Sequence, residues 1–417
     1  MTELATHDNP PEWFSDGFIE KAMRNGLKQD DLEVVGMEIK KAAAAGDHYA
    51  SSLFRCHLKL KQKKCDGKEK TGEISVIVKI IPGGMMGDEL KKFSIFEKEA
   101  EILSNVLPKI TEIIQRAYPE EEPLGPNIYY HEGSPNNVIV MEDLKIKNFN
   151  MANRIEGLDV DHTTLVLKGL AKYHAASLVL KKERPETLTN FAEAVWNRKN
   201  KDMVEKFFMS TLTALSEDFP SWEDMERKEI IQQKLKVLQR EAFDKVLNLF
   251  DPIEEGMEVL LHGDSWVNNF MFKYNPSGVP VEMKFVDFQL CYLNSPAMDL
   301  QYFLFSSTRE DLRFTQIDTF LRIYHEAFED ALDKLNFPLA SPYKFDQLKK
   351  DFNDRSLWGL LVFCSIFPLF KVPQGETMQP DDLFLADSNR FRVIFQREDV
   401  RKVMVKGLLY FDRVGAL

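Results

Sequence analysis

The decapeptide Leu261–Phe270, LHGDSWVNNF, sets a His, an Asp and two Asn between apolar residues. Asp and Asn at a strand end are most often turn formers, and Asp264 alone carries no more than that. The residues that follow change the weight. FMFKY (270–274), the turn-rich NPSG, PVEMKFV (280–286) and then Asp287 read as two short strands closed by a turn. An antiparallel hairpin brings the chain back to where it left, so Asn269 and Asp287 fall at the same open end. Opposed residues on neighbouring strands are about 5 Å apart. A carboxylate and an amide oxygen at that separation suit one hard cation. Asp264, in the loop just before, faces the same space with a second carboxylate, a group fit to accept or orient a proton.

A second chemical anomaly is Lys79, inside the apolar run ISVIVKII (74–81). An unpaired ammonium is costly to bury, so the lysine either snorkels from a strand edge or meets an anion. FEKEAEIL (96–103) offers Glu97, Glu99 and Glu101. At 100° per residue Glu99 falls nearest the Phe96–Leu103 apolar stripe, while the other two turn towards solvent.

The elements that must hold these groups surround them. SSLFRCHLKL (51–60) and GEISVIVKIIP (72–82), with the polar KQKKCDGKEKTG between, read as a hairpin with a long loop. A helix is expected from Lys91 to about Ala117, because Phe93, Phe96, Ala100, Leu103, Leu107 and Ile110 share one stripe. NVIVMEDL (137–144) reads as a strand, and MEVLL (257–261) as another before His262. Beyond residue 144 helical patterns dominate: 158–180, several surface helices in the charged region 190–250, and a buried helix at 357–370. That last run is too short and too aromatic for a membrane span.

With 417 residues, 44% of them hydrophobic, the chain exceeds one ordinary core. The expected fold is α+β and bilobal: a small β-rich N-lobe, residues 1–144, and a larger mainly helical C-lobe, residues 145–417. A net charge of −12 argues against a basic nucleic-acid face. The four cysteines (Cys56, Cys65, Cys291, Cys364) lie far apart without a CxxC pair, which fits a reducing compartment. The first residues hold neither a basic nor an apolar leader segment, so a cytoplasmic protein is expected.

HGDSWVNN and VDFQ resemble the catalytic loop and metal-binding segment of the kinase-like phosphotransferases that include aminoglycoside and choline kinases. The wider chain is similar to one branch, the ecdysteroid kinase-like (CHK kinase-like) family of arthropods. GDHYASSLFR, VIVKIIP, FEKEAEILSNVLP, MEDL, LAKYHAAS, HGDSWVNNFMFKY, VDFQLCYLNSPAMDLQYFLFSS and FLRIYHEAF occur in the family's order from about Gly46 to Phe328. The resemblance implies a protein-kinase-like fold and an ATP- and Mg²⁺-dependent kinase acting on a small-molecule hydroxyl, with no protein partner or membrane span required. It makes Asp264 the catalytic carboxylate, Asn269 and Asp287 the Mg²⁺ ligands, and Lys79 with Glu99 the ATP anchor. Ser51 and Ser52 would let backbone amides approach phosphate. Adenine would bond main-chain groups of Glu142 and Leu144 at the hinge, with Met141 lining the pocket. His262 and Asp299 read as structural. Within the family the acceptor is an ecdysteroid or another apolar alcohol.

The sequence departs from the family pattern at Leu103, where an aromatic is expected, and at Ser265, where a leucine usually follows the aspartate. A choline- or aminoglycoside-type kinase and a catalytically retired kinase fold are competing readings. The second would be marked by loss of Lys79, Asp264, Asn269 or Asp287, and all four are present. A two-metal hydrolase using His262, Asp264, Asp287 and Asp299 would ask for more clustered ligands than eight scattered histidines supply. A protein kinase would ask for a glycine-rich triple and an A-P-E segment, and neither is found.

Overall fold

The computed structural model describes residues 10–42, 51–63, 69–81, 87, 91–223, 225–253, 255–339, 341, 343–373 and 388–417. The sheet of the N-terminal part has five antiparallel strands, β1 (Leu32–Lys41), β2 (Ser52–Lys63), β3 (Glu69–Ile80), β4 (Ile128–Glu132) and β5 (Val138–Glu142). Their spatial order is β1-β2-β3-β5-β4. β3 and β5 are central, and β5 is buried at every residue, which is why it reads as a continuous VIVM run rather than an alternation. The loop expected between β2 and β3 is shorter than the sequence suggested. Pairing continues out to Lys63 opposite Glu69, because the polar ends of both strands lie on a solvated sheet margin.

Helix α1 (Asp16–Leu27), capped by Ser15, covers one face of this sheet, and Ile19, Ala22 and Met23 join Phe54, Val76 and Val140 in a small separate core. On the other face lies the helical segment expected from Lys91. Lys91 itself is helical, but residues 92–94 form a turn in which Ser94 is left-handed (φ 48°), a conformation that no helix interior tolerates, and α2 (Ile95–Glu101) begins after it. A π turn at Ile102–Val106 joins it to α3 (Leu107–Ala117). Leu103 is buried in that turn.

The rest of the chain is mostly helical and belongs to one large core. Its axis is α4 (Val160–Glu183), N-capped by Asp159, which accepts the His162 N–H, and closed by Lys181 and Lys182 in the last turn. Helices α5 (Lys201–Asp218) and α6 (Lys228–Leu247) fall where surface helices were expected, yet Leu212, Leu215, Leu235 and Phe243 are buried. Charge on one face had hidden an apolar stripe on the other. Two small sheets are inserted here, β6 (Asn150–Met151) with β8 (Phe270–Tyr274) and β9 (Pro280–Phe285), and β7 (Val259–Leu261) with β10 (Tyr292–Asn294). Helix α7 (Pro296–Ser307) follows, capped by Ser295, with all twelve residues buried. Within the run 357–370, Leu357 is half-buried and Trp358 to Phe370 are buried, and the helix is interrupted by a π turn at Val362–Ile366. Among the described residues no helix is long and apolar enough to cross a membrane. The described cysteines, Cys56, Cys291 and Cys364, are free and buried.

Candidate active site

β3 carries Lys79 into the interior, where it is 3% exposed. Its Nζ lies 2.5 Å from Glu99 Oε2 and 2.7 Å from Asp287 Oδ1. Glu99 comes from α2, and of the three candidate glutamates it is the buried one. Burial works against the ammonium, but the charges of Asp287 and Glu99 outweigh it and hold Lys79 above its ordinary pKa. β3, α2 and the segment after β9 thus meet on one buried cation.

The loop between β7 and β8 carries Asp264. Gly263 precedes it with φ +79°, and a Cβ there would sit 2.0 Å from the carbonyl oxygen of Leu290. Only glycine fits so close to another backbone. Gly263→Ala is expected to lose about 2–4 kcal/mol of stability through overpacking and strain, measurable by thermal denaturation, and an unchanged melt would show that the loop has room to shift. Asp299 of α7 holds the loop backbone: its Oδ1 accepts the Gly263 N–H at 2.9 Å and its Oδ2 the His262 N–H at 2.8 Å. Burial opposes the Asp299 charge, yet the His174 hydrogen bond, the nearby imidazoles and the Gly263 N–H keep its carboxyl below the usual range. Burial also keeps His262 neutral, with its Nε2 donating to Val286 O at 3.1 Å.

Asp264 is 8% exposed and both its oxygens are engaged. Asn269 Nδ2 donates to Oδ2 at 2.9 Å, and the Tyr302 hydroxyl to Oδ1 at 2.8 Å. Burial and the neighbouring charge of Asp287 push the Asp264 carboxyl up to about 7.

β8 and β9 pair Phe270 with Phe285, and the Val286 N–H bonds Asn269 O at 3.0 Å, so the hairpin closes with Asn269 and Asp287 at one end. Asp287 has φ 64°, a left-handed conformation that aspartate tolerates better than most residues. Asn269 Nδ2 is used twice by Asp264, on its carboxylate and its backbone carbonyl. The opposite atom, Asn269 Oδ1, is buried with no hydrogen-bond partner. An orphaned buried acceptor beside a carboxylate is the donor set a hard cation takes, so the residues fit Mg²⁺. No group of three or more His, Cys, Asp and Glu side chains fit to hold a metal occurs among the described residues, and Asp299 is turned to the loop backbone instead. That arrangement does not suit a two-metal hydrolase.

A cavity of about 360 Å³ opens from this point between the two parts of the chain. Lys79, Glu99 and Asp287 line one end, Met141, Glu142 and Leu144 another, and Leu53, Ile77, Phe149 and Met271 give it apolar walls. Leu144, read as the end of a strand, instead opens a short helix (Leu144–Lys147) behind Asp143. The first N–H groups of a helix have no partner inside it, which leaves a donor at this position. The Glu142 N–H is taken by Asn127 O at 2.8 Å, and its side chain by Lys147 and Asn127. Ser51 and Ser52 are buried where β2 begins, Ser52 opposite Ile80, with hydroxyls that have no partner. They are not among the residues lining the cavity, and Gly46 and Ala50 of the same stretch lie outside the described residues.

Two contacts were not foreseen. Arg55 on β2 holds Asp143 with Nε at 2.7 Å and Nη2 at 3.2 Å, while Ser75 Oγ donates to the same carboxylate at 2.6 Å, which ties the sheet to the segment after β5. Long-range pairs of this kind leave no sequence signal. Tyr302 did leave one: it stands one helical turn beyond Asp299, on the face already turned to the loop.

A five-stranded sheet with a buried Lys–Glu pair, set over a helical part that offers Asp, Asn and Asp around the same cleft, defines a kinase-like bilobal protein. The chain belongs to the ecdysteroid kinase-like family, whose model matches residues 45–337. Membership implies a small-molecule phosphotransferase, a family of folds that generally uses ATP and Mg²⁺. No curated protein matches the chain.

Proposed function

We propose that the protein transfers the γ-phosphoryl group of ATP, with Mg²⁺, to a hydroxyl of a small apolar molecule, an ecdysteroid or a xenobiotic alcohol. The observation that carries this reading is Lys79 held by Glu99 and Asp287 at the inner end of the cavity, with Asp264 and the unpartnered Asn269 Oδ1 beside it. Residues 1–144 act as the ATP-covering lobe and 145–417 as the lobe that holds metal and acceptor. The apolar walls take the adenine, with main-chain groups of Glu142 and Leu144 at the hinge. Lys79 exchanges its contact with Asp287 for the phosphates. Asn269 Oδ1 and the Asp287 carboxylate hold Mg²⁺, which when bound neutralises the phosphate charge. Asp264 takes the proton of the acceptor hydroxyl as its oxygen attacks the γ-phosphorus.

Purified protein incubated with Mg·ATP and a panel of ecdysteroids, plant phenols, glycosides and amino alcohols tests the reading by mass spectrometry. A product heavier by one phosphoryl group on an apolar alcohol supports it, and phosphate released to water alone counts against it. Asp287→Ala is expected to weaken Mg·ATP binding tenfold or more while changing metal-free ATP binding much less. Titration of a fluorescent ATP analogue with and without Mg²⁺ measures this, and an unaltered Mg²⁺ dependence removes Asp287 from the metal site.

A further inference from the structure

Helix α7 reaches the catalytic loop twice. Asp299 fixes its backbone, and one turn later Tyr302 fixes the side chain of Asp264, its hydroxyl 2.8 Å from Oδ1. Tyr302 is 5% exposed, and its ring is backed by the buried Trp358 at 5.8 Å. Burial holds the phenol well above its ordinary pKa, so it stays a donor. Without it the Asp264 carboxylate would be tethered by Asn269 at Oδ2 only, free to turn about its own bond. With it, both oxygens are placed, and each still has a lone pair to offer.

We propose that Tyr302 is the positioning residue of the transfer, pinning Oδ1 of Asp264 into the C-lobe and leaving Oδ2, the oxygen shared with Asn269, to take the acceptor's proton. The inference rests on the kinase reading above. In the step it serves, the acceptor O–H bond breaks with its proton passing to Oδ2. The electron pair left on oxygen forms the bond to the γ-phosphorus. The bond from that phosphorus to the β,γ-bridging oxygen breaks, its pair leaving on ADP. A carboxylate free to rotate reaches the hydroxyl in fewer orientations, and misplacement of about 1 Å costs on the order of 100-fold in rate.

Tyr302→Phe removes one oxygen atom and keeps the ring against Trp358. Turnover of Mg·ATP is measured with the alcohol that the panel above shows to be phosphorylated. A fall in kcat of about 10–100-fold, with the KM for ATP within twofold of wild type, is expected. A kcat within threefold of wild type overturns the proposal, as does a loss confined to the KM for ATP. A melting-temperature cycle of wild type, Tyr302→Phe, Asp264→Ala and the double variant needs no turnover. The Tyr302→Phe loss is expected to shrink by half or more in the Asp264→Ala background, and additive losses overturn the contact. Wild-type protein without turnover counts against the kinase reading itself, and the cycle then decides the Tyr302–Asp264 contact alone.

Discussion

Asp264→Ala is expected to lower phosphoryl transfer by about 10²–10⁴-fold, the range a positioned general base contributes, while nucleotide affinity stays within a few-fold. Asp264 is not among the residues lining the cavity proposed for the nucleotide, whereas Lys79, Glu99 and Asp287 are. Its removal therefore takes away the proposed proton acceptor without touching the apolar walls or the proposed ATP anchor. The same change has a second signature in the metal-free protein. The folded-state pKa of Asp264 is about 7, raised from 3.8. Between about 4 and about 7 the folded chain therefore binds more protons than the unfolded one, and this group's contribution to stability falls as pH rises through that window. Asp264→Ala lacks that dependence. Its melting temperature, compared with wild type, should look worst near pH 5, where Tyr302 and Asn269 lose a partner, and should recover towards pH 8. A wild-type minus variant difference that is flat from pH 5 to pH 8 would mean that the Asp264 carboxyl titrates in its ordinary range. Turnover retained in the variant would remove Asp264 from the chemistry altogether.

The parts of this site that were legible in the sequence are those fixed by short-range geometry. Asn269 and Asp287 could be placed together because a two-strand hairpin has a fixed return, and Glu99 could be chosen over Glu97 and Glu101 because helical phase distinguishes them. Lys79 stood out because a charge inside an apolar strand has to be explained. Strands β1 and β4 were not foreseen. β1 is an edge strand whose side chains are only partly covered, so LEVVGMEIKK shows no clean alternation. β4 is five residues long, half-buried or exposed throughout, and owes its place to pairing with β5. The π turns at Ile102–Val106 and Val362–Ile366 left no mark, because the apolar pattern on either side continues with helical spacing. The Arg55–Asp143 pair joins residues 88 positions apart. Contacts between elements are set by how the elements pack, which periodicity within one element does not encode.

Lys79→Met is expected to be the most damaging single change to stability in the cleft, at about 3–5 kcal/mol, the range for breaking a buried ion pair by removing one partner. Methionine fills the aliphatic volume of lysine, so the loss is electrostatic rather than a cavity. What remains is Glu99, with its side chain 1% exposed, beside Asp287 at 12%, two carboxylates with their shared cation gone. Burial raises the Glu99 carboxyl even with Lys79 present, and the Asp287 charge raises it further. In the variant the opposing pull of Lys79 is absent, so the folded chain holds a proton there that the unfolded chain releases near the ordinary glutamate pKa. The contribution of Glu99 to stability then falls as pH rises from the ordinary glutamate range through the raised value. Thermal melts at pH 6 and pH 8 should therefore show a larger loss at pH 8, and adding Glu99→Gln to Lys79→Met should restore part of it by removing the buried charge. Equal losses at both pH values, with no rescue by Glu99→Gln, would show that the carboxylates are not what the lysine compensates. Lys79 would then matter to the fold only through its packing, and its contact with Asp287 would be incidental to the proposed handling of phosphate.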